Sequence, residues 1–266
     1  MATNSASGPF QRMVILGDSI SYGMCAHEPE NEWHQVVANL LRKFQDEALT
    51  VFNRGLPANV ISPRCPGYQE SVKPSLIERY DKHCIALKPD LVIIAEGLND
   101  MRSGMPLRDY RADLEKIVYD IQDRTGALVV LLGIYHQIYG CGMNDPVANP
   151  TRTQWNYDLA EAYNLAIRLV AKKHHALFVD AWNVLGGADW VLHPDCCHLN
   201  DLGHVLIGNA IFQVIATSCC GVAAKTKRIT REQWVSIANT GGTDSTEEIW
   251  QSWKAAAPNY GVVFND

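Results

Sequence analysis

The sequence has no long apolar run and no excess of basic residues. Its apolar stretches fall well short of the roughly 20 residues that a membrane-spanning helix needs. Its 23 lysines and arginines are outnumbered by 29 aspartates and glutamates, which gives a formal charge of −6. Because nucleic-acid-binding surfaces are basic, this balance argues against a nucleic-acid partner. We therefore expect a protein that neither inserts into a membrane nor binds nucleic acid.

An export signal is also missing from the first residues. Residues 1–11 contain no basic segment followed by an apolar one, so they lack the pattern of a signal peptide. We interpret them as a short disordered leader, and a cytoplasmic location is the default expectation.

The eight cysteines include no Cys-x-x-Cys pair, the spacing of zinc ribbons and thioredoxin-type redox sites. Four of them form two adjacent pairs, and neighbouring cysteines rarely bridge each other. We therefore expect reduced and mostly buried thiols. The alternative is a zinc site built from the side chains of His193, Cys196, Cys197, His198 and His204. Since adjacent ligands rarely give tetrahedral geometry, we expect no metal or other cofactor.

The motif Gly-x-Ser-x-Gly is absent as well, which excludes the nucleophile elbow of the common serine hydrolases. The chain instead alternates short apolar runs with longer amphipathic stretches. The runs predicted as strands are Met13–Leu16, Thr50–Asn53, Leu91–Ala95, Ala127–Tyr135 and Ala176–Ala181. Helical spacing occupies the stretches 33–44, 107–121, 159–170 and 202–215. This alternation predicts an α/β fold, a three-layer α/β/α sandwich around a five-stranded parallel sheet.

The alternating pattern ends near residue 217 and divides the chain into two predicted parts. Residues 12–217 would form the α/β domain, and residues 218–266 a C-terminal extension. The extension holds three of the seven tryptophans, Trp234, Trp250 and Trp253, and is too aromatic to be simply disordered. We expect it to pack on the domain or against a partner, so a homo-oligomer formed through the extension is one hypothesis.

Residues that can carry chemistry follow the predicted strands. Ser19 comes two residues after the glycine that ends the first strand, where it could be a helix cap or a nucleophile. Gly55 follows the second strand, and Asn99 follows the third. Asp195 and His198 come later, at a spacing that places both on one face of a helical turn. Because such groups gather beyond the carboxyl ends of parallel strands, we expect them at one edge of the sheet.

A second Asp-x-x-His pair makes that spacing ambiguous. Asp201 and His204 repeat it shortly afterwards. We prefer Asp195 with His198, because this pair precedes the apolar helical pattern and lies at a junction between loop and helix.

The chain resembles the SGNH, or GDSL-type, hydrolase family in four blocks: Gly17-Asp18-Ser19, Gly55, Gly97-x-Asn99-Asp100 and Asp195-x-x-His198. The resemblance covers roughly residues 12–217 and implies a flavodoxin-like fold with a metal-free esterase mechanism. It implies that Ser19 is the nucleophile, that His198 is the general base and that Asp195 orients His198. It further implies an oxyanion hole made of the Ser19 N–H, the Gly55 N–H and the Asn99 side chain.

Aromatic and polar residues border the loops expected around this edge. Arg64 and Tyr68 lie on the side of the second strand, and the residues beside the long loop 136–153 are Tyr135, His136, Tyr139 and Trp155. They could stack on a sugar or hold an acyl chain, or equally serve only to pack the loops. We treat them as candidate substrate-binding residues.

These features predict a serine esterase that hydrolyses small acyl esters through an acyl-serine intermediate. The polar, aromatic loops and the lack of a long apolar lid favour short acyl groups, with acetyl groups on carbohydrates as the preferred class. A lipase or thioesterase for longer acyl chains is the nearest alternative. Two other hypotheses are a non-catalytic binding or scaffold module on the same fold and a metal-dependent hydrolase using His193 and the cysteines.

Overall fold

A five-stranded parallel sheet forms the centre of the fold. A computed structural model describes residues 8–45 and 47–222, together with residues 248, 250, 251, 254 and 255. The strands are β1 (Arg12–Gly17), β2 (Thr50–Gly55), β3 (Leu91–Ala95), β4 (Leu128–Leu132) and β5 (Leu177–Val179). They pair in the order β2-β1-β3-β4-β5. Each predicted apolar run overlaps one of these strands, so the predicted sheet is confirmed.

Helices alternate with the strands and cover both faces of the sheet. The described helices are α1 (Ser19–Tyr22), α2 (Trp33–Gln45), α3 (Leu76–His83), α4 (Leu98–Arg102), α5 (Leu107–Thr125), α6 (Tyr157–Lys173), α7 (Ala181–Leu185) and α8 (Asp201–Ser218). On one face α2 packs against α8, and on the other α5 packs against α6. The predicted three-layer sandwich is therefore confirmed.

The inner strands are apolar because they are covered from both sides. Apart from Arg12, every residue of β1, β3 and β4 is buried. β2 forms one edge of the sheet and is only half-buried, which explains why polar residues occur within it. A sheet buried on both faces gives continuous apolar runs rather than alternation, and this is the pattern that the sequence shows.

The run predicted as the fourth strand extends to Tyr135, but β4 ends at Leu132. Beyond it, the amide of Asn164 from α6 takes the place of a neighbouring strand. Its Oδ1 accepts from the Ile134 N–H at 2.7 Å, and its Nδ2 donates to the Ile134 carbonyl oxygen at 2.9 Å. These bonds satisfy the buried backbone and allow the chain to leave the sheet.

A close contact between α2 and α8 fixes the part of the domain that carries the site. A Cβ on Gly208 of α8 would lie 2.6 Å from the Val36 Cβ and 2.8 Å from the Trp33 carbonyl oxygen, so only glycine fits. Trp33 is fully buried, and its Nε1–H donates to the Ile20 carbonyl oxygen at 2.7 Å. These contacts link α8 through α2 to α1, which follows β1.

The domain extends slightly beyond its predicted ends. Phe10 falls in the predicted leader, yet it is buried, and its backbone exchanges two hydrogen bonds with the Gln45 side chain. At the other end, Cys219 and Val222 are buried beyond α8. Buried packing therefore continues on both sides of residues 12–217, and the domain boundaries themselves stay a prediction.

The chain divides into two compact units, Met1–Lys225 and Thr226–Asp266. In the second unit the five described residues are helical. Trp234 and Trp253 lie outside the described residues, so the expected packing of the C-terminal extension and its role in an oligomer stay predictions. No helix in the described ranges is long and apolar enough to cross a membrane.

The expectation that the thiols are reduced is wrong for two cysteines. Cys141 and Cys196, which are 55 residues apart, form a disulfide. The position of two cysteines next to each other argues against a disulfide between those two, but not against one between distant cysteines. Here the fold brings the loop of Cys141 to the turn of Cys196. Of the six free cysteines, only Cys220 is exposed.

Candidate active site

The turn after β1 presents Ser19 at the carboxyl edge of the sheet. Gly17 ends β1 with a φ of +145°, and a Cβ there would lie 1.9 Å from the Ala95 carbonyl oxygen. Asp18 then caps α1, because its Oδ1 accepts a hydrogen bond from the Ile20 N–H at 2.9 Å. Since Asp18 is the cap, Ser19 is the first residue of the helix and its hydroxyl is available for chemistry.

The side chains of Ser19, His198 and Asp195 form one hydrogen-bonded chain. His198 Nε2 lies 2.9 Å from Ser19 Oγ, and His198 Nδ1 lies 2.5 Å from Asp195 Oδ2. An imidazole that carries its proton on Nδ1 has a free lone pair on Nε2, which can accept the serine proton. The arrangement has the parts of a nucleophile, a base and a group that orients the base.

The Asp195 carboxylate is surrounded by donors. Besides His198 Nδ1, it accepts hydrogen bonds from the backbone N–H groups of Cys197 at 3.0 Å and His198 at 2.9 Å. The Cys25 thiol lies 3.6 Å from Oδ2. Burial acts to raise the pKa of Asp195, but the hydrogen bonds from His198 and Cys197 outweigh it and lower the pKa to about 2. The carboxylate is therefore ionised at neutral pH and can stabilise an imidazolium.

The competing pair, Asp201 and His204, faces another part of the fold. Asp201 accepts hydrogen bonds from backbone and side-chain groups of residues 27–31. His204 is buried, and its Nε2 lies 3.1 Å from the Met24 carbonyl oxygen. Both side chains thus hold the 24–31 segment, whereas the preferred pair contacts Ser19.

Asn99 lies in the first turn of α4 with its amide held on both sides. Nδ2 donates to Asp18 Oδ2 at 3.1 Å and to the Asn59 carbonyl oxygen at 3.0 Å. Oδ1 accepts from Arg152 Nη1 at 3.0 Å. The donor side of the amide therefore faces the residue that precedes Ser19, with both N–H groups bonded in this structure, and its role as an oxyanion donor stays a prediction.

Gly55, the expected third donor, is placed differently. It is the last residue of β2, and its N–H donates to Asn53 Oδ1 at 2.8 Å. A Cβ on Gly55 would lie 2.2 Å from the Tyr22 backbone nitrogen, so this glycine allows β2 to pass close to α1. The structure thus gives Gly55 a packing role as well, and its role as an oxyanion donor stays a prediction. The Ser19 N–H, in contrast, is among the first N–H groups of α1, which have no acceptor within the helix.

Three of the candidate substrate-binding residues make structural contacts instead. Arg64 pairs with two aspartates of α5, at 2.6 Å and 3.3 Å. The Tyr68 hydroxyl bonds the Glu78 carboxylate at 3.1 Å. Tyr135 is buried, and its hydroxyl donates to the Cys197 carbonyl oxygen at 2.9 Å. The structure therefore does not support these three residues as substrate contacts, and Tyr135 supports the turn that carries His198.

His136 and Trp155 belong to a cluster of aromatic rings beyond the ends of β4 and β5. The His136 ring is stacked on Tyr157 with 6.1 Å between centroids, and Trp182 lies 5.3 Å from Tyr157 and 6.3 Å from Trp155. A cavity of about 460 Å³ opens beside Tyr157 and Trp182, and its charged and amide lining residues are Glu161, Arg168, Asp180, Asn164 and Asn183. Tyr139, the last candidate, is exposed on the loop 136–153.

The side chains considered for a zinc site have other partners. Cys196 is in the disulfide, His198 bonds Ser19, and His204 bonds a backbone carbonyl. Among the described residues, the group close enough to hold an ion is Cys25, Asp195 and His198. Its His198 Nδ1 and Asp195 Oδ2 are 2.5 Å apart. Because a zinc ion binds each ligand at about 2 Å, this spacing fits a shared proton rather than an ion between the two atoms.

Three acidic side chains lie buried beneath the site. Burial raises the pKa of Asp18 to about 6 and that of Asp100 to about 7, and it raises the pKa of Glu96 well above its usual range. Asp100 Oδ1 accepts a hydrogen bond from the Ile61 N–H at 2.9 Å. These groups keep their protons at pH values at which exposed carboxylates have lost them.

Residues that the sequence did not indicate also reach the site. Arg152 bonds Asn99, and Cys25 approaches Asp195. The loop 136–153 is joined to the turn of Asp195 by the disulfide and by the Met143 N–H, which donates to the Asp195 carbonyl oxygen at 2.8 Å. The length of this loop indicated a functional element, but no pattern within it indicated which side chains face the site.

Comparisons with known proteins place the chain among ester hydrolases. Residues 15–206 match the GDSL-like lipase/acylhydrolase family. An acetylxylan esterase from Geobacillus stearothermophilus is 23% identical over 232 residues, which are 78% of this chain and 95% of that protein. An arylesterase from Vibrio mimicus is 31% identical over 132 residues, which are 49% of this chain and 58% of the arylesterase.

Solved structures share the fold at low sequence identity. The crystal structure of the Geobacillus stearothermophilus acetylxylan esterase aligns with a TM-score of 0.57 at 22% identity, covering 80% of this chain and 96% of that one. A lipase/acylhydrolase from Enterococcus faecalis aligns with a TM-score of 0.59 at 21% identity, covering 82% and 100%. Because the family match spans well over half of the sequence, the chain belongs to the GDSL-like lipase/acylhydrolase family and is a carboxylic ester hydrolase with the SGNH fold.

Proposed function

We propose that this protein removes short acyl groups, and in particular acetyl groups on carbohydrates, through an acyl-Ser19 intermediate. The observation that carries the mechanism is the hydrogen-bonded chain from Ser19 Oγ through His198 to Asp195, with distances of 2.9 Å and 2.5 Å. Such a chain supplies an activated nucleophile at neutral pH without a metal ion.

In the proposed reaction, Ser19 Oγ attacks the ester carbonyl carbon while His198 Nε2 takes the hydroxyl proton. The Ser19 N–H and Asn99 Nδ2 donate to the oxyanion of the tetrahedral intermediate. His198 then gives its proton to the leaving alcohol as the bond between carbon and alcohol oxygen breaks. Water attacks the acyl-enzyme with His198 again as base, which releases the acid and restores Ser19.

Two observations favour an acetylated carbohydrate as the substrate. One relative is named an acetylxylan esterase. In addition, the exposed ring of Tyr157 and the partly buried ring of Trp182 border a cavity with charged and amide side chains. Sugars combine apolar C–H faces with hydroxyl groups, and a mixed aromatic and polar pocket suits both parts. Because these rings follow β4 and β5, they lie at the same edge of the sheet as Ser19.

The serine mechanism is tested with Ser19→Ala and p-nitrophenyl acetate. We expect kcat to fall by at least about 10⁴-fold, because the variant has no nucleophile. Circular dichroism should show an unchanged fold. Undiminished hydrolysis by a folded Ser19→Ala variant would overturn the mechanism.

The substrate class is tested by comparing an acetylated xylo-oligosaccharide with p-nitrophenyl acetate. For Trp182→Ala we expect KM to rise roughly three- to tenfold on the oligosaccharide only, since one aromatic contact contributes about 0.5–1.5 kcal/mol. Trp190→Ala, which removes an exposed tryptophan outside the cluster, is the matched control. In a series of nitrophenyl esters, a maximum at eight carbons or longer would replace this proposal with a lipase or thioesterase.

A further inference from the structure

Arg152 approaches the site from the end of the loop 136–153. Its Nη1 donates to Asn99 Oδ1 at 3.0 Å, and its Nη2 lies 3.3 Å from the Ala58 carbonyl oxygen. No carboxylate of the described residues forms an ion pair with it, although the chain as a whole is acidic. Its described partners are neutral amide oxygens beside the turn of Asp18 and Ser19, which we call the serine turn.

The contact between Arg152 and Asn99 fixes which end of the amide faces the serine turn. A guanidinium can only donate, so the atom of Asn99 that faces Arg152 must be the oxygen. The nitrogen is then directed to Asp18 Oδ2 and the Asn59 carbonyl oxygen. Without Arg152, Asn99 Oδ1 would lose this donor, and only the two acceptors on Nδ2 would hold the orientation of the amide.

The positive charge of Arg152 also strengthens the amide as a donor. A cation on the carbonyl oxygen draws electron density from the amide nitrogen, which makes the Nδ2–H groups better donors in a buried environment. The field of this charge extends to Asp18 in the serine turn. Burial raises the pKa of Asp18, and the charge of Arg152 is among the groups that lower it. The same field would favour a negative charge that develops on a substrate held at Ser19.

The loop after β2 joins Asn99 and Arg152 in a ring of hydrogen bonds. The Ala58 carbonyl oxygen accepts a hydrogen bond from Arg152, and the carbonyl oxygen of the next residue, Asn59, accepts one from Asn99. Ala58 has a φ of +59°, a left-handed conformation that is unfavourable for alanine. These hydrogen bonds connect the loop after β2 to both side chains of the pair.

We propose that Arg152 is a positioning residue for ester hydrolysis, which orients and polarises the Asn99 amide as an oxyanion donor. This inference rests on the proposed function, in which Asn99 donates to the tetrahedral intermediate. Arg152 acts through Asn99 and needs no contact with the substrate. The loop that carries it also holds the turn of Asp195 through Cys141 and Met143, so one loop supports both the base and the oxyanion side.

The test is a double-mutant cycle on p-nitrophenyl acetate with Arg152→Ala, Asn99→Ala and the double variant. We expect Arg152→Ala to lower kcat by roughly 10- to 100-fold, less than the loss of a whole donor, with KM within about twofold. Arg152→Lys keeps the charge but not the planar fork, so it should recover part of this loss. Because Arg152 acts through Asn99, the double variant should be no slower than Asn99→Ala alone.

Arg108→Ala is the matched control, since that side chain is 91% exposed. Melting temperatures show whether each variant folds, and Arg152→Gln replaces the alanine variant if it does not. Two results would overturn the role of Arg152 but not the serine mechanism. One is an unchanged kcat in Arg152→Ala, and the other is a double variant whose loss of kcat equals the product of the two single losses. A fully active Asn99→Ala would overturn the oxyanion assignment as well, whereas Ser19→Ala tests the serine mechanism separately.

Discussion

Two aspartates at the site have opposite electrostatic surroundings. Asp195 has several donors on its carboxylate, and they lower its pKa to about 2 despite partial burial. Asp18 is fully buried, and burial raises its pKa to about 6 because the Ile20 N–H and nearby positive charges do not compensate. Of the two, Asp195 is therefore the carboxylate that can orient and stabilise the imidazolium of His198 at neutral pH.

Replacing Asp195 should therefore remove most of the activity. We expect Asp195→Asn to lower kcat by about 10⁴-fold, because an amide neither stabilises the imidazolium nor keeps the proton on Nδ1. Asp201→Asn is the matched control, since Asp201 holds residues 27–31 and should change kcat by less than twofold. The measurement is hydrolysis of p-nitrophenyl acetate at pH 7. Equal losses in the two variants would contradict the choice of Asp195.

Motifs predicted residue types well and atom directions poorly. Ser19, Asp195 and His198 could be placed because each lies in a short block next to a regular element. The block containing Gly55 predicted a free N–H, and it could not show that the Asn53 side chain accepts a hydrogen bond from this N–H. Arg152 could not be predicted, since it comes from an irregular loop whose path depends on tertiary contacts.

Among the elements, the loop 136–153 contacts the site through both the turn of Asp195 and Asn99. It bonds the turn of Asp195 through the disulfide, the Met143 N–H and the Asn144 side chain, which donates to the Cys196 carbonyl oxygen at 2.7 Å. The long irregular stretch was visible in the sequence, but its disulfide was not, because the pairing partner lies 55 residues away. The helix α3 was overlooked, although its start carries the capping box of Ser75 and Glu78.

The disulfide should contribute measurably to stability. We expect Cys141→Ser to lower the free energy of unfolding by about 2–4 kcal/mol, because the unfolded chain loses the restriction of the closed loop. Urea unfolding with and without a reductant measures the effect, and reduction should destabilise the native chain but not this variant. Cys220→Ser, which removes an exposed free thiol, is the control. A native chain that is insensitive to the reductant would contradict the expectation.

At the scale of the whole molecule, the buried acids make stability depend on pH. Burial raises the pKa of Asp100 from its usual 3.8 to about 7. Between these values the folded state keeps a proton that the unfolded chain has lost. The stability that protonated Asp100 contributes to the folded state is therefore fully present below pH 3.8, and it is lost as the pH rises towards 7.

Asp100→Asn should weaken this pH dependence. The asparagine can still accept the Ile61 N–H through Oδ1, but it cannot ionise. Relative to the native chain, we expect the urea midpoint of the variant to rise between pH 5 and pH 8. Asp81→Asn, an exposed position on α3, is the control and should follow the native chain. Parallel midpoints for the native chain and Asp100→Asn would contradict this expectation.

The contact of α2 with α8 at Gly208 also bears on the order in which the site is assembled. Ser19 and His198 are 179 residues apart, so the proposed nucleophile meets its base only after α8 has docked on α2. During synthesis the serine emerges from the ribosome long before the histidine. A nascent chain would therefore carry the proposed nucleophile before its proposed base, and we expect ester hydrolysis only when α8, the last helix of the described range 47–222, is in place.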